Sequence, residues 1–200
     1  MSRTCFLVLD LQNDLCHDDG IYARNGLAAA NINSIIPNLI DVMHFCHKQH
    51  IPIIATKLTI LVDQQGKPIG LGNLGKLRPF LHDEGFREET WGHDLYDTLP
   101  KVDFSIRKWS LSPFYETELD HHLKSLNCEH VIISGFTTNG VVETTAREAV
   151  GRNLQVTTLT DCVTSYSDTL HQASLTNLGA FGQIITSKEW MESFVEKVTT

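Results

Sequence analysis

The stretch GFTTNGVVETTAREA, Gly135 to Ala149, follows the apolar run HVIIS. A strand that enters a helix through small residues aims backbone N–H groups and a positive dipole end at whatever binds there, which suits an anion or a thiolate. Yet Gly140, Val141 and Val142, the residues expected to open that helix, offer no nucleophile. Two charged residues fall at comparable places: Asp10 closes the run CFLVLD and Lys108 closes FSIRK. In an open parallel sheet, ligands bind outside the carboxyl ends of the strands. A carboxylate and an ammonium projecting from adjacent strand ends into one crevice shift each other's pKa, which is how proton-transfer sites are tuned. Singly, an Asp after a strand commonly caps a loop and a Lys is commonly solvated. Their coincidence at one sheet edge is the signal.

The elements that must hold these residues are legible as βα repeats. CFLVLD, PIIAT, FSIRK, HVIISG, QVTTLTD and GQIIT read as six strands. Between the first two, NINSIIPNLIDVMHFCHKQ places Ile32, Ile35, Ile36, Leu39, Ile40 and Met43 on one helical face, with Pro37 calling for a late start or a kink. Leu119, Leu123 and Leu126 form a second apolar face. In the final SKEWMESFVEKV, Ser187 is the expected N-cap, with Trp190, Phe194 and Val198 buried. The alternation predicts an α/β fold: a three-layer α/β/α arrangement on a mostly parallel, six-stranded, Rossmann-like sheet. Residues 58–91, rich in glycine and weakly periodic, read as a lid or interface segment beside the site.

Composition narrows the partners. Two hundred residues suit one domain spanning 1–200, and a hydrophobic share of 42% with 20% charged residues is ordinary for a globular chain. A net charge of -8 argues against nucleic acid and anionic membranes, leaving small molecules. The apolar run near the start breaks at Asp10, too short for a signal peptide or a membrane span, so a cytoplasmic location is expected. Five scattered cysteines without C-x-x-C spacing read as reduced thiols rather than disulfides or zinc ligands.

Three segments together carry a resemblance: LVLDLQNDL (7–15), IRKWSLSPFYETELDHHLKS (106–125) and VIISGFTTNGVVETTAREAV (131–150). In order and spacing they resemble the signature segments of the isochorismatase-like hydrolase superfamily, and LTDCVTS (159–165) with His171 extends the likeness along the chain. The resemblance implies catalytic roles for Asp10 and Lys108. In the cysteine-dependent branch the third member is a Cys at the helix start, where this chain has Val141. There the Asp takes the thiol proton, the thiolate attacks an amide or related carbonyl, and backbone N–H groups hold the oxyanion. A helix N-terminus and a nearby Lys would depress a thiol's pKa, but a valine can do none of this. The family's non-proline cis peptide would fall at Phe136–Thr137.

The isochorismatases proper have Gly at the Cys position and cleave an enol ether without a covalent intermediate, their protonated Asp supplying the proton. Asp10 suits that part if a dry pocket raises its pKa, although Val141 would fill space that substrate takes in those enzymes. The nicotinamidase branch adds an Asp-x-His metal site where this chain reads Lys57, Leu58 and Thr59, so no metal and no other cofactor is implied. His44, His47, His50, His121 and His122 read as surface groups, and His171 as structural or pocket-lining. Cys16 and Cys162 fall near the sheet's carboxyl edge but outside the oxyanion geometry. Phe136, Thr137, Gly140, Trp109 and Phe114 are the candidate substrate-binding residues, with Trp91 and Tyr115 as further aromatic candidates. Two functions follow: a small-molecule hydrolase working without a cysteine, with Asp10 as general acid or base and Lys108 as its electrostatic partner, or a silent binding module that keeps the pocket. The resemblance also implies a homodimer or homotetramer.

Overall fold

The computed structural model describes residues 3–29 and 31–199, without the side chains of 197–199. Six parallel strands form one sheet: β1 (Thr4–Leu9), β2 (Ile53–Leu58), β3 (Phe104–Lys108), β4 (His130–Phe136), β5 (Gln155–Thr164) and β6 (Gln183–Ile185), in the order β3-β2-β1-β4-β5-β6. The helices are α1 (Asn13–Cys16), α2 (Ile21–Arg24), α3 (Ile32–Lys48), α4 (Gly72–Leu77), α5 (Leu119–Ser125), α6 (Glu143–Gly151), α7 (Asp168–Leu178) and α8 (Ser187–Thr199). The three-layer α/β/α architecture follows from how each strand spends its side chains. Along β1, Phe6 and Val8 join the core under α3 and α8, whereas Cys5, Leu7 and Leu9 join the core under α5, α6 and α7. Strands buried on both faces read as continuous apolar runs.

The chain lays β1, β2 and β3 outward on one side and then returns to place β4 on the other side of β1. The strand order therefore reverses between β1 and β4, and a crevice opens at their carboxyl ends. Gly135 stands there opposite Leu9 at φ 129°, and a Cβ would come within 2.2 Å of the Leu9 carbonyl oxygen. Only glycine lets the two backbones approach this closely at the reversal.

Local details differ from the sequence reading in instructive ways. α3 begins at Ile32 and carries Pro37 in its second turn, so proline does not delay the start. The buried face of α3 is Ile32, Ile35, Ile36, Leu39, Val42, Met43 and Cys46, with Ile40 only half-buried. The cap of α8 is Thr186, not Ser187. The Glu189 carboxylate accepts the Thr186 N–H at 2.8 Å while the Glu189 N–H donates to the Thr186 hydroxyl at 3.3 Å, a reciprocal capping box. Ser187 is instead engaged by Asp161, which accepts both its N–H at 2.7 Å and its hydroxyl at 2.8 Å. Trp190 is buried and Phe194 packs beside it, while the Val198 side chain lies outside the described residues.

Residues 59–103, between β2 and β3, form a long excursion with little regular structure beyond α4 and two short 3-10 turns. It is stitched to the sheet edge by the polar residues that follow Asp10. Gln12, fully buried, donates to the carbonyls of Leu58 at 3.0 Å and His93 at 2.9 Å and accepts the Leu58 N–H at 2.7 Å. Asn13 donates to the Trp91 carbonyl and Asp97, each at 2.9 Å. Asp14 accepts the N–H groups of Ile21 at 3.3 Å and Phe86 at 2.6 Å. At Gly92 a Cβ would lie 2.2 Å from the Asp14 carboxylate, so glycine makes room for it. The run QND thus anchors the segment that walls the crevice. Gln12→Ala would strand one buried and two partly buried backbone groups and is expected to lower unfolding free energy by about 2–4 kcal/mol in urea titrations. A loss below about 0.5 kcal/mol would show that the excursion is held by other means.

Candidate functional site

Asp10 lies one residue past β1 with φ 55°, a left-handed conformation that turns the chain out of the strand. Its N–H reaches the Thr56 carbonyl at 3.2 Å, and one carboxylate oxygen accepts the Thr56 hydroxyl at 2.7 Å. The other oxygen is 2.7 Å from Lys108 Nζ, and the two side chains are only 7% and 1% exposed. The remaining ammonium protons find the carbonyls of Ser110 at 2.9 Å and Leu111 at 3.3 Å. The sequence predicts adjacent strand ends, but the strand order places β2 between them, and Lys108 extends across it while Thr56 from β2 supplies the hydroxyl. Burial pushes the Asp10 carboxyl above its usual range, and the Lys108 charge and hydrogen bonds from Lys108 and Thr56 oppose that rise.

After β4 the Phe136–Thr137 peptide is cis. The α-helix does not start at Gly140. A wide turn over Thr138–Val142, with Gly140 at φ −121° and ψ −106°, precedes α6 at Glu143. Side chains fix this turn from outside. The Thr138 hydroxyl donates to the Thr164 carbonyl at 2.8 Å and meets His171 Nδ1 at 2.9 Å, so His171 donates from Nδ1. Asn139 accepts the Ser165 hydroxyl at 2.6 Å. His171 is therefore a brace behind the turn and lies outside the crevice lining. Burial pulls its pKa below the ordinary value. Val141 is 2% exposed and faces both the α6-side core and the crevice.

Asp10, Lys108 and Val141 share the wall of one cavity of about 640 Å³. Of the expected binding residues, Phe136, Thr137 and Trp109 line it, as does Tyr115. Gly140 and Phe114 do not. Gly140 sits behind Thr137, where a Cβ would be 2.4 Å from the threonine Oγ1, and Phe114 is buried in the core with the Arg152 guanidinium 4.0 Å above its ring. Trp91 turns to Asp97 and His17 instead. Unforeseen members are Tyr22, Tyr166 and Arg78. Tyr166 stands just past β5, at the same carboxyl edge as Asp10, a position the parallel-sheet rule could have flagged. Tyr22 and Arg78 lie in irregular segments that no periodicity marks.

Where the nicotinamidase branch holds its metal, Lys57 pairs with Asp94 at 3.6 Å and Thr59 meets His93 Nε2 at 2.8 Å. An ion-paired ammonium in place of a carboxylate does not suit a cation site. Among the described residues no group of three or more His, Cys, Asp or Glu is arranged to hold one. Cys16 and Cys162 are buried in the core, outside the lining, and burial drives both thiols well above the ordinary thiol range. Neither offers a thiolate.

The family model for the isochorismatase domain matches residues 4–189. Nicotinamidase 3 of Arabidopsis thaliana is 26% identical over 177 residues, covering 88% of this chain and 80% of that protein. A probable inactive nicotinamidase of the same plant is 26% identical over 200 residues, covering 95% of each. A cysteine hydrolase from Pseudomonas syringae pv. phaseolicola superposes with a TM-score of 0.81 at 22% identity, over 95% of this chain and 91% of that one.

Removing one partner of the buried pair strands the other charge. Lys108→Met is expected to cost about 3–5 kcal/mol at neutral pH, and the Lys108→Met, Asp10→Leu double variant to recover most of it. The sign of its pH dependence follows from the raised Asp10 pKa. Without Lys108 the folded chain keeps a proton that the unfolded chain releases above about pH 3.8. The single variant therefore loses stability as pH rises from about 4 toward neutrality. Urea unfolding at pH 5 and 8 reads both effects, and a pH-independent loss below about 1 kcal/mol would contradict them.

Proposed function

The chain belongs to the isochorismatase family, and on that basis we propose that it hydrolyses a small molecule without a cysteine nucleophile, with Asp10 as general acid and Lys108 as its electrostatic partner. The observation that carries the reading is the intact Asp10–Lys108 pair, buried at 2.7 Å at the floor of a mostly apolar cavity, beside an inert Val141. Chemistry that needs a thiol has no group to perform it there, whereas proton transfer has one. A carboxyl raised by burial carries a proton further toward neutral pH than a free one. Asp10 gives that proton to the bond being broken, protonating the leaving atom or, in an enol ether, the vinyl carbon. Water adds its oxygen to the activated carbon. Where the leaving atom was protonated, its bond to that carbon breaks and the group departs neutral. In an enol ether the hemiketal so formed collapses to a carbonyl as the C–O bond breaks, and the alcohol leaves with the hemiketal proton. The proton released by the water returns to the Asp10 carboxylate, which Lys108 stabilises while it is ionised.

A second reading has its own support. The resemblance aligns the inert Val141 with the cysteine of the branch that forms a covalent intermediate, and one relative of matching length is named a probable inactive nicotinamidase. Under that reading the cavity binds a ligand and forms no product. Assembly into two or four copies belongs to either reading. Its motive is the apolar rim of the cavity, where Leu77, Leu111 and Tyr115 are 60%, 57% and 56% exposed. Light scattering is expected to give a mass at least twice 22.5 kDa, and a monomer mass at micromolar concentration would remove this part.

Turnover of small amides, esters and enol ethers is expected to fall by about 10³-fold or more in Asp10→Asn with the fold intact by circular dichroism. Because the acid form is the working form, kcat/KM should decline as pH rises through the Asp10 pKa, with its inflection above the ordinary 3.8. Undiminished turnover in Asp10→Asn would take Asp10 out of the mechanism, and calorimetric binding without product across the panel would favour the silent reading.

A further inference from the structure

The cavity holds one charge that the Asp10–Lys108 pair does not use. Arg78 follows α4 on the excursion between β2 and β3, and with Asp10 and Lys108 it completes the charged residues of the lining. Its guanidinium donates to the Leu77 carbonyl at 2.9 Å, and among the described residues no carboxylate lies within ion-pairing distance. It rests instead 5.9 Å from the centroid of the Tyr22 ring and 6.0 Å from that of Tyr166. These two rings stack on each other at 6.1 Å and 10°, and Phe136 meets Tyr166 edge-on at 4.8 Å. Tyr22 is buried, burial raises the pKa of its hydroxyl, and the Arg78 charge opposes that rise.

Charge balance then identifies what the cavity lacks. With Asp10 ionised the pair cancels and Arg78 leaves one net positive charge on the lining, and with Asp10 protonated two remain, so in either state the cavity favours an anion in a chain whose net charge is -8. A half-buried guanidinium about 6 Å from two aromatic ring centroids is planar in itself, and its fork of N–H groups matches a carboxylate with two parallel hydrogen bonds. Leu71, Leu74 and Leu77 of the same segment line the same cavity with apolar surface, which favours a singly charged group on an apolar body over a strongly hydrated dianion.

We propose that Arg78, braced by the stacked Tyr22 and Tyr166, is the anchor for the carboxylate of an apolar monocarboxylic acid derivative whose reacting bond lies at Asp10. This deepens the hydrolase reading by giving its substrate a class, and it sets the chain apart from catalysts of uncharged amides. The anchor is a binding residue remote from the reacting atoms, contributed by a segment outside the three signature stretches.

Binding separates this proposal from the catalytic one, since it is read without turnover. Calorimetry on the intact chain would use phenylacetate and hexanoate against their uncharged counterparts, phenylacetamide and hexanamide. The carboxylates are expected to bind about 10- to 100-fold more tightly than the matching amides. Arg78→Met should erase that preference while leaving amide affinity within about twofold, and Arg78→Lys should retain part of it. Thermal unfolding of both variants checks that the fold survives. Equal affinity for acids and amides in the natural chain, a preference that survives Arg78→Met, or no saturable binding of either carboxylate at millimolar concentration would each overturn the proposal. A carboxylate preference in a chain that turns nothing over would leave it standing and count against the hydrolase reading alone.

Discussion

A carboxylate and an ammonium held 2.7 Å apart with almost no exposure to water constrain everything around them. Neither charge can be buried alone, and the pair is tolerated because its remaining hydrogen-bonding capacity is met by Thr56 and by two backbone carbonyls. Satisfying it takes three strands: β1 places Asp10, β2 supplies the hydroxyl between, and β3 ends on the lysine that spans the gap. The left-handed turn at Asp10 and the close approach of β1 and β4 at Gly135 then open the crevice above this floor. Burial that is costly for stability is also what raises the Asp10 pKa, so one constraint shapes both the fold's edge and its chemistry.

Much of this was legible in the sequence because apolar runs and polar run-ends obey simple periodicities. FSIRK matches β3 residue for residue, and the ends of the apolar runs mark Asp10 just past β1 and Lys108 at the end of β3. The three-layer architecture followed from strands apolar on both faces alternating with one-sided helices. What stayed illegible depends on geometry between distant segments. That β2 separates Asp10 from Lys108 is a matter of strand order, which no local pattern encodes. Phe114 and Gly140 sit near the right residues in sequence but face the core or the back of Thr137. Ser187 looked like a cap because serines often are, yet Thr186 has the carboxylate three residues on that completes the box. The anchoring role of Gln12, Asn13 and Asp14 depends on partners up to 84 residues away.

Two regions of different origin meet at the cavity. The floor and the turn behind it come from the signature segments, braced by the contacts of Thr138 and Asn139 with β5, α7 and Ser165 between them. The opposite wall comes from the excursion between β2 and β3, where Arg78 and the leucines lie. Under the proposed function floor and wall divide the work: the first would move a proton, the second would select what is brought to it. Such a division lets a family keep its proton-transfer floor while its substrates change with the wall.

The most direct test of a cysteine-free site compares the natural chain with Val141→Cys across one panel of small amides, esters and enol ethers, including members with a free carboxylate. Turnover by the natural chain, whether or not Val141→Cys adds amide hydrolysis of its own, is the result expected. Activity confined to Val141→Cys would contradict the account and show that the floor is competent only when a nucleophile is restored.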